Sequence, residues 1–345
     1  MSETTWNMAM VRAREAAARL PRRRDESGGI DWDEIEAAVI DTGYTEHPVL
    51  GPWLDGESPI VRVGDGLNTM DRSASPKDPL AYEGTPSHGT RVASVLCGNR
   101  PGILEGAAPG LPIIPYRAFN NVVVYSKQAR KRAARAIRDA VDSNSAEVLS
   151  MSFGFPQMSW FGQRHLGEAV DHAYERGIIQ VCAGGQIIDR PTYPGKFART
   201  IGVGGVRADR TVWFRYDESM AERAIDIWAP GADVPRVDTE YQSEAVQYQG
   251  VGYGDGTSYA TVHVSAAAAM WLRHHGADLD DAYREPWQRV EAFRKLLAQT
   301  SQPVEGAYWP DRNKGILDIN ALLAAPLPHV DDLSYEDREA KDEIF

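Results

Sequence analysis

Short apolar runs alternate with longer amphipathic stretches through the middle of this chain, and that alternation limits the fold more than any other feature. "IEAAVIDTG" at 35–43, "LPIIPYRAF" at 111–119, "AEVLSMSFG" at 146–154 and "IIQVCAGG" at 178–185 read as buried strands, with "ARTIGVGGV" at 198–206 and "AIDIWAPG" at 224–231 as further ones. "YSKQARKRAARAIRDAVDS" at 125–143 and "LGEAVDHAYERG" at 166–177 read as helices, His88 opens a helical "HGTRVASVLCGNR", and an Ala-rich helix runs from 258. Apolar strands separated by amphipathic helices imply a parallel sheet, because each crossover lays a helix on one of its faces. The expected fold class is therefore α/β, in three layers: a mostly parallel β-sheet with helices on both faces.

The flanks read differently. Residues 1–30 form an N-terminal extension, with a helix from Trp6 to Leu20 followed by "PRRRDESGG", whose proline, charges and glycines mark a linker. Residues 51–87, rich in Gly, Pro, Asp and Ser, read as an irregular excursion over the surface. Residues 326–345 carry an acidic run and read as a solvated tail or peripheral helix, which leaves 31–325 as the main domain.

With 37 basic against 49 acidic residues the net charge is −12, which argues against a general affinity for nucleic acid or for an anionic membrane surface. No secretory signal pattern opens the chain, and no run approaches the roughly 18 apolar residues of a membrane span. Cys97 and Cys182 are too few for a disulfide framework. The expectation is a cytoplasmic protein with reduced, buried thiols, with no nucleic-acid or membrane partner and an undetermined oligomeric state.

In an open parallel sheet, sites assemble at the carboxyl ends of the strands. Asp41 ends the first strand, Ser152-Phe153-Gly154 follows another, Ala183-Gly184-Gly185-Gln186 follows a third, and His88 and Ser258 open helices. Several have more than one reading. Asp41-Thr42-Gly43 is an ordinary turn, an orienting acid, or half of an aspartic dyad for which no second Asp-Thr-Gly or Asp-Ser-Gly exists. Ser258 is a helix cap or a nucleophile placed at the positive end of a helix dipole. His263, five residues on, cannot face that hydroxyl, and His274 and His275 end the helix where positive charge suits the dipole. No His-Glu-x-x-His or Cys-x-x-Cys pattern points to a metal.

"VIDTGYTEHPVL", "HGTRVASVLCG" and "GTSYATVHVSAAAA" resemble the Asp, His and Ser motifs of the subtilisin-like serine peptidases, in the family's order. "GAAPGLPIIPYRAF", "AEVLSMSFG", "YPGKFARTIGVGGV" and "DIWAPG" resemble further segments, so the likeness spans roughly 35–325. It implies a subtilisin-like peptidase domain in which Ser258 attacks a peptide carbonyl, His88 acts as base and then acid, and Asp41 orients the imidazole. It places Gln186 where the family has its oxyanion asparagine, beside the backbone N–H of Ser258, and His263 on a structural histidine of the Ser motif. It makes Ser152, Phe153, Gly154, Ala183, Gly184 and Gly185 the walls of the primary pocket, pairing with an extended substrate as added strands, with Thr192 near the base and Ile187 near the mouth. An uncharged, apolar residue before the cleaved bond is expected.

Two departures stand out: Gln186 for asparagine, and Val262 for the family's proline, which should let the Ser258 helix start more regularly. They keep two alternatives open beside an intracellular processing or regulatory endopeptidase: a weakly catalytic homologue acting as a peptide-binding adaptor, and a peptide ligase or transpeptidase. The reaction requires no cofactor. Structural calcium is common in the family, but the acids of "VGDGLNTMDRSASPKDPLAYEG" at 63–84 lack a regular ligand spacing and read as solvating groups. The 40 residues ahead of Asp41 are too few for the long pro-domain of the secreted members, so 1–30 reads as a short inhibitory or docking segment or a frayed extension.

Overall fold

A computed structural model describes residues 5–25, 28–144, 146–156, 164–242, 245–306, 308 and 314–343. Seven parallel strands form the central sheet in the order β2 (Leu67–Asn68), β5 (Ile113–Arg117), β1 (Ala37–Asp41), β6 (Val148–Met151), β7 (Ile179–Ala183), β8 (Ile201–Val206) and β9 (Ile227–Pro230). Two small antiparallel pairs stand apart from it, β3 (Asn99–Arg100) with β4 (Leu104–Glu105), and β10 (Val234–Gln242) with β11 (Ala245–Gly254). The chain leaves β1 toward β5 on one side and returns to β6 on the other, so β1 and β6 flank the point where the winding reverses. A crevice opens there at the carboxyl ends of the strands.

Successive strand residues point to opposite faces, and the two cores follow that alternation. Ala37 and Val39 pack with α3 (His88–Cys97), α7 (Thr257–His275), α9 (Pro286–Thr300) and α10 (Ile319–Ala324), whereas Ala38, Ile40, Leu149 and Met151 pack with α4 (Lys127–Asp142) and α5 (Arg164–Glu175). The sheet is thus the middle of three layers, as expected. Helix α7 is buried from Thr257 through Leu272 and serves as a central pillar rather than a surface helix. Two shorter helices, α6 (Glu218–Ala224) and α8 (Ala277–Ala282), complete the periphery. No helix among the described residues is long and apolar enough to cross a membrane.

Both flanks differ from the expectation. The single helix from Trp6 to Leu20 is instead α1 (Trp6–Met10) and α2 (Ala13–Ala17), broken where Arg12 adopts a left-handed φ of 55° and bonds Asp318 at 3.2 Å. The buried residues of this segment, Met8, Val11, Ala13, Ala16 and Leu20, belong to the same core as α7. The acidic end is docked through part of its length, while Asp331, Asp332, Asp337 and Asp342 remain exposed. Asp171 of α5 accepts the backbone N–H groups of Ala340 and Lys341 at 2.7 and 3.1 Å, and the buried Arg199 guanidinium lies between the rings of Tyr174 and Tyr335 while donating to the Glu336 carbonyl. A charge-rich segment reads as solvated when its partners lie far away in sequence; here they are Asp171 and Arg199.

Asn7 also ties the N-terminal segment to the pillar. The Nδ1 of His263 meets the Tyr259 carbonyl at 2.6 Å and must donate to it, so Nε2 accepts from the Asn7 amide at 3.1 Å. Burial pushes His263 down to about 4. His275 is likewise pushed down to about 4, by burial and by His274, so at neutral pH the positive charge at the end of α7 comes from Arg273 rather than from the imidazoles. Because the unfolded chain takes up a proton at His263 near pH 6.5 and the folded chain only near 4, the stability this residue gives is intact above pH 6.5 and is lost as the pH falls toward 4. Urea unfolding should therefore show stability falling across that window, and His263→Gln should remove a share on the order of 3 kcal/mol, leaving the shares of His47 and His275, which are pushed down to the same range.

Candidate active site

Asp41 is the last residue of β1 and is fully buried, and α3 begins at His88 directly above it. The Nδ1 of His88 lies 2.9 and 3.0 Å from the two Asp41 carboxylate oxygens. A carboxylate only accepts, so Nδ1 carries the proton and the lone pair of Nε2 is left for a base. Asp41 Oδ1 also accepts the Thr42 N–H at 2.7 Å, and the Thr42 hydroxyl accepts the Gly89 N–H at 3.0 Å, which fastens the first turn of α3 to the turn after β1. The imidazole is the more accessible partner, its side chain 13% exposed against 1% for Asp41.

Across the crevice, Ser258 sits in the first turn of α7, after Gly256 has turned the chain with a φ of 159°. Its hydroxyl donates to the Ser152 carbonyl at 3.2 Å, the Ser152 hydroxyl donates back to the Ser258 carbonyl at 3.1 Å, and no hydrogen bond joins Ser258 to His88. Catalytic hydrogen bonds are often loose or misdirected before substrate arrives. Helix α7 runs unbroken from Thr257 through Val262, which is fully buried where the family has proline.

Gln186 reaches the same end of the helix. Its Oε1 accepts both the N–H and the hydroxyl of Thr257, at 3.0 and 2.8 Å. A backbone N–H can only donate, so the amide orientation is fixed and Nε2 is the end left facing the crevice. A methyl group placed on Gly256 would stand 3.3 Å from Gln186 Nε2 and 3.6 Å from the Ser258 nitrogen, so these two donors border one small space.

A pocket about 50 Å³ in volume, expected from the resemblance as the primary one, opens beside Ser258 and is lined by Ser152, Phe153, Gly154, Ala183, Gly185, Gln186, Ile187 and Thr192, together with Val122, Val123, Pro156 and Thr257. None of these carries a charge. Thr192 fills the space between two glycines: a Cβ on Gly154 would come within 2.4 Å of its Oγ1, and one on Gly185 within 2.7 Å. The Phe153 ring packs with Phe119 and Phe155 in the core, leaving its backbone to the wall. Gly184 stands one layer back, with its N–H on the Val203 carbonyl and its own carbonyl accepting from Thr192. Ile187, 53% exposed, marks the rim. Cys182 is buried below the strand end, and burial raises its thiol out of the reactive range.

One group near the triad has no motif to announce it. Asp78, in the loop expected to carry only solvating acids, is buried; its carboxylate accepts the N–H groups of Leu80 and Ser87 at 2.9 and 2.8 Å and the Tyr82 hydroxyl at 3.0 Å. Arg117, at the end of β5, pairs with it at 3.8 Å and donates to the Thr42 carbonyl at 2.7 Å. Burial and the Asp78 charge raise the Tyr82 hydroxyl well above its ordinary range, so it remains a donor. The pair links the residue before His88 to the residue after Asp41. Removing one member of a buried pair typically costs about 3–5 kcal/mol, because the other charge is left stranded. Among the described residues no cluster of three or more His, Cys, Asp or Glu side chains has the geometry to hold a metal ion.

Known proteins resemble this chain over most of its length. The subtilase family profile matches residues 33–318. Subtilisin E of Bacillus subtilis (strain 168) is 28% identical over 304 residues, covering 86% of this chain and 67% of that protein. The major intracellular serine protease of the same organism is 26% identical over 281 residues, covering 79% and 77%. The crystal structure of MycP1 with its N-terminal propeptide removed superposes with a TM-score of 0.67 at 18% identity, covering 94% of this chain and 98% of the other. With the profile spanning most of the chain, from just before β1 to the start of α10, this protein belongs to the subtilase family of serine peptidases.

Proposed function

We propose that the protein is a serine endopeptidase in which Ser258 is the nucleophile, His88 the general base and acid, and Asp41 the group that orients and stabilises the imidazole. The observation that carries this reading is the pair of contacts from His88 Nδ1 to both Asp41 oxygens, which leaves Nε2 basic above the crevice that holds Ser258. On substrate binding, the Ser258 hydroxyl exchanges its bond to the Ser152 carbonyl for one to Nε2. It then attacks the peptide carbonyl while its proton passes to His88. The tetrahedral oxyanion is met by the Ser258 N–H and Gln186 Nε2, with the α7 dipole adding to the field. The amine leaves with the proton from His88, and water, activated by the same nitrogen, hydrolyses the acyl-enzyme. Side chains and backbone N–H groups supply every step.

The uncharged lining of the pocket supports a preference for an apolar residue of modest size before the cleaved bond. The similarity to the major intracellular serine protease of Bacillus subtilis supports a place of action inside the cell.

Labelling with a fluorophosphonate probe and cleavage of a peptide library test the reading together. Wild-type protein should label and cut after small and medium apolar residues, while Ser258→Ala should do neither. A folded wild type that binds peptides but never labels would establish an adaptor instead. The oxyanion assignment has its own test. Gln186→Ala should lower kcat about 100-fold with KM little changed, since the donor acts on charge that appears only in the transition state. Equal kcat values for the two proteins would remove Gln186 from the chemistry.

A further inference from the structure

The wall of the primary pocket is already hydrogen-bonded to the protein itself. Gly154 donates its N–H to the Val122 carbonyl at 2.9 Å and accepts the Val124 N–H on its own carbonyl at 2.9 Å, so Val122–Val124 lies beside it as a short parallel strand. On the opposite wall, the Gly185 N–H is held by the Thr257 hydroxyl at 3.1 Å and its carbonyl by the Tyr216 hydroxyl at 2.5 Å. An extended peptide must satisfy its own main-chain groups, and the usual way is to add a strand to an edge that has groups to spare. Neither Gly154 nor Gly185 has a main-chain group to spare.

These two walls differ in what it takes to free them. Gly185 is held by side chains of α7 and of the aromatic cluster around Tyr216. Val122–Val124 belongs to the connection between β5 and α4, outside the central sheet, and is anchored locally, by the Thr85 hydroxyl to the Val122 N–H at 3.2 Å and by the Asn121 side chain to the Val123 N–H at 2.9 Å. Val122 and Val123 also face the pocket, while Val124 is buried behind it. The segment therefore occupies the position, and uses the bonds, of an incoming strand.

We infer that Val122–Val124 sets the specificity of this site by holding the Gly154 edge, so that the enzyme reads mainly the residue in its primary pocket and gains from residues further toward the substrate N-terminus only when this segment is displaced. The inference rests on the peptidase reading and on the Ser152–Gly154 wall as the docking edge for substrate. Two peptides with the same residue before the scissile bond and the same leaving group provide the test, one blocked directly at that residue and one carrying three more residues. In the wild type their kcat/KM values should lie close together. Val124→Pro, which deletes the N–H donated to Gly154, should raise the ratio in favour of the longer peptide about tenfold, the scale of one or two recovered main-chain hydrogen bonds. A wild type that already gains tenfold or more from the extension, with a ratio unchanged in Val124→Pro, overturns the inference. Hydrogen exchange on Ser258→Ala reads the same event without catalysis or a loop variant. On adding the longer peptide, the Val124 amide should lose protection while the Gly154 amide keeps it; retained protection at both overturns the inference. If neither peptide is cleaved by the wild type, the peptidase reading fails, and the exchange result alone decides whether the segment gives way to a bound strand.

Discussion

Helix α3 can reach the end of β1 only because residue 89 has no side chain. A Cβ there would lie 2.1 Å from the Gly43 carbonyl oxygen, and a Cβ on Gly43, whose φ is +98°, would lie 2.2 Å from that of Pro76. These two contacts interlock three pieces of chain: the turn after β1, the start of α3 and the loop that carries Asp78. The distance between Asp41 and His88 is set by this backbone approach, and the side-chain bond between them follows from it. Ser87, in a left-handed conformation at φ 64°, enters the helix with its N–H on Asp78 and its hydroxyl bonded to that of Thr239. Non-glycine residues in that region are strained and persist where their surroundings leave them no alternative.

Thr257 has the corresponding role on the other side of the crevice. Its N–H and hydroxyl hold the Gln186 carbonyl oxygen, and the same hydroxyl accepts from Gly185 in the pocket wall. One residue, adjacent to Ser258, thereby fixes both the Gln186 side chain and the Gly185 wall of the pocket. The extra methylene that distinguishes glutamine from the family's asparagine is accommodated here. Gln186 lies back against the helix start, and its rotamer freedom is restrained by two hydrogen bonds in the absence of substrate.

What the sequence discloses is what periodicity and local motifs can carry. The alternation of strands and helices is legible because each strand is apolar on both faces, and Asp41, His88 and Ser258 stand out because each begins or ends an element inside a motif. Asp78 is not legible. It lies among prolines and charges in a loop with no pattern, and its partner Arg117 closes a different element. The docking of residues 335–343 is hidden for the same reason, since Asp171 and Arg199 look like ordinary surface charges until the chain is folded. The break at Arg12 also escapes a helical reading, because the residue that holds it, Asp318, comes from the far end of the fold. The pairing of Val122–Val124 with Gly154 is visible only in the assembled backbone.

The seating of α1 and α2 has a consequence for how the molecule forms. Val11 offers its carbonyl to the N–H of Ile319, Gln302 donates to the Met10 carbonyl, and Asn7 meets His263 on the pillar that bears Ser258. This segment thus has partners more than 250 positions further along the chain, besides those near Glu105, which gives the fold a large share of contacts distant in sequence and, with it, slow closure. A nascent chain emerging from the ribosome would have its aspartate and histidine long before the helix that presents its serine is seated. Topology alone would keep a growing polypeptide from cutting its neighbours or itself until α7 has been made and seated.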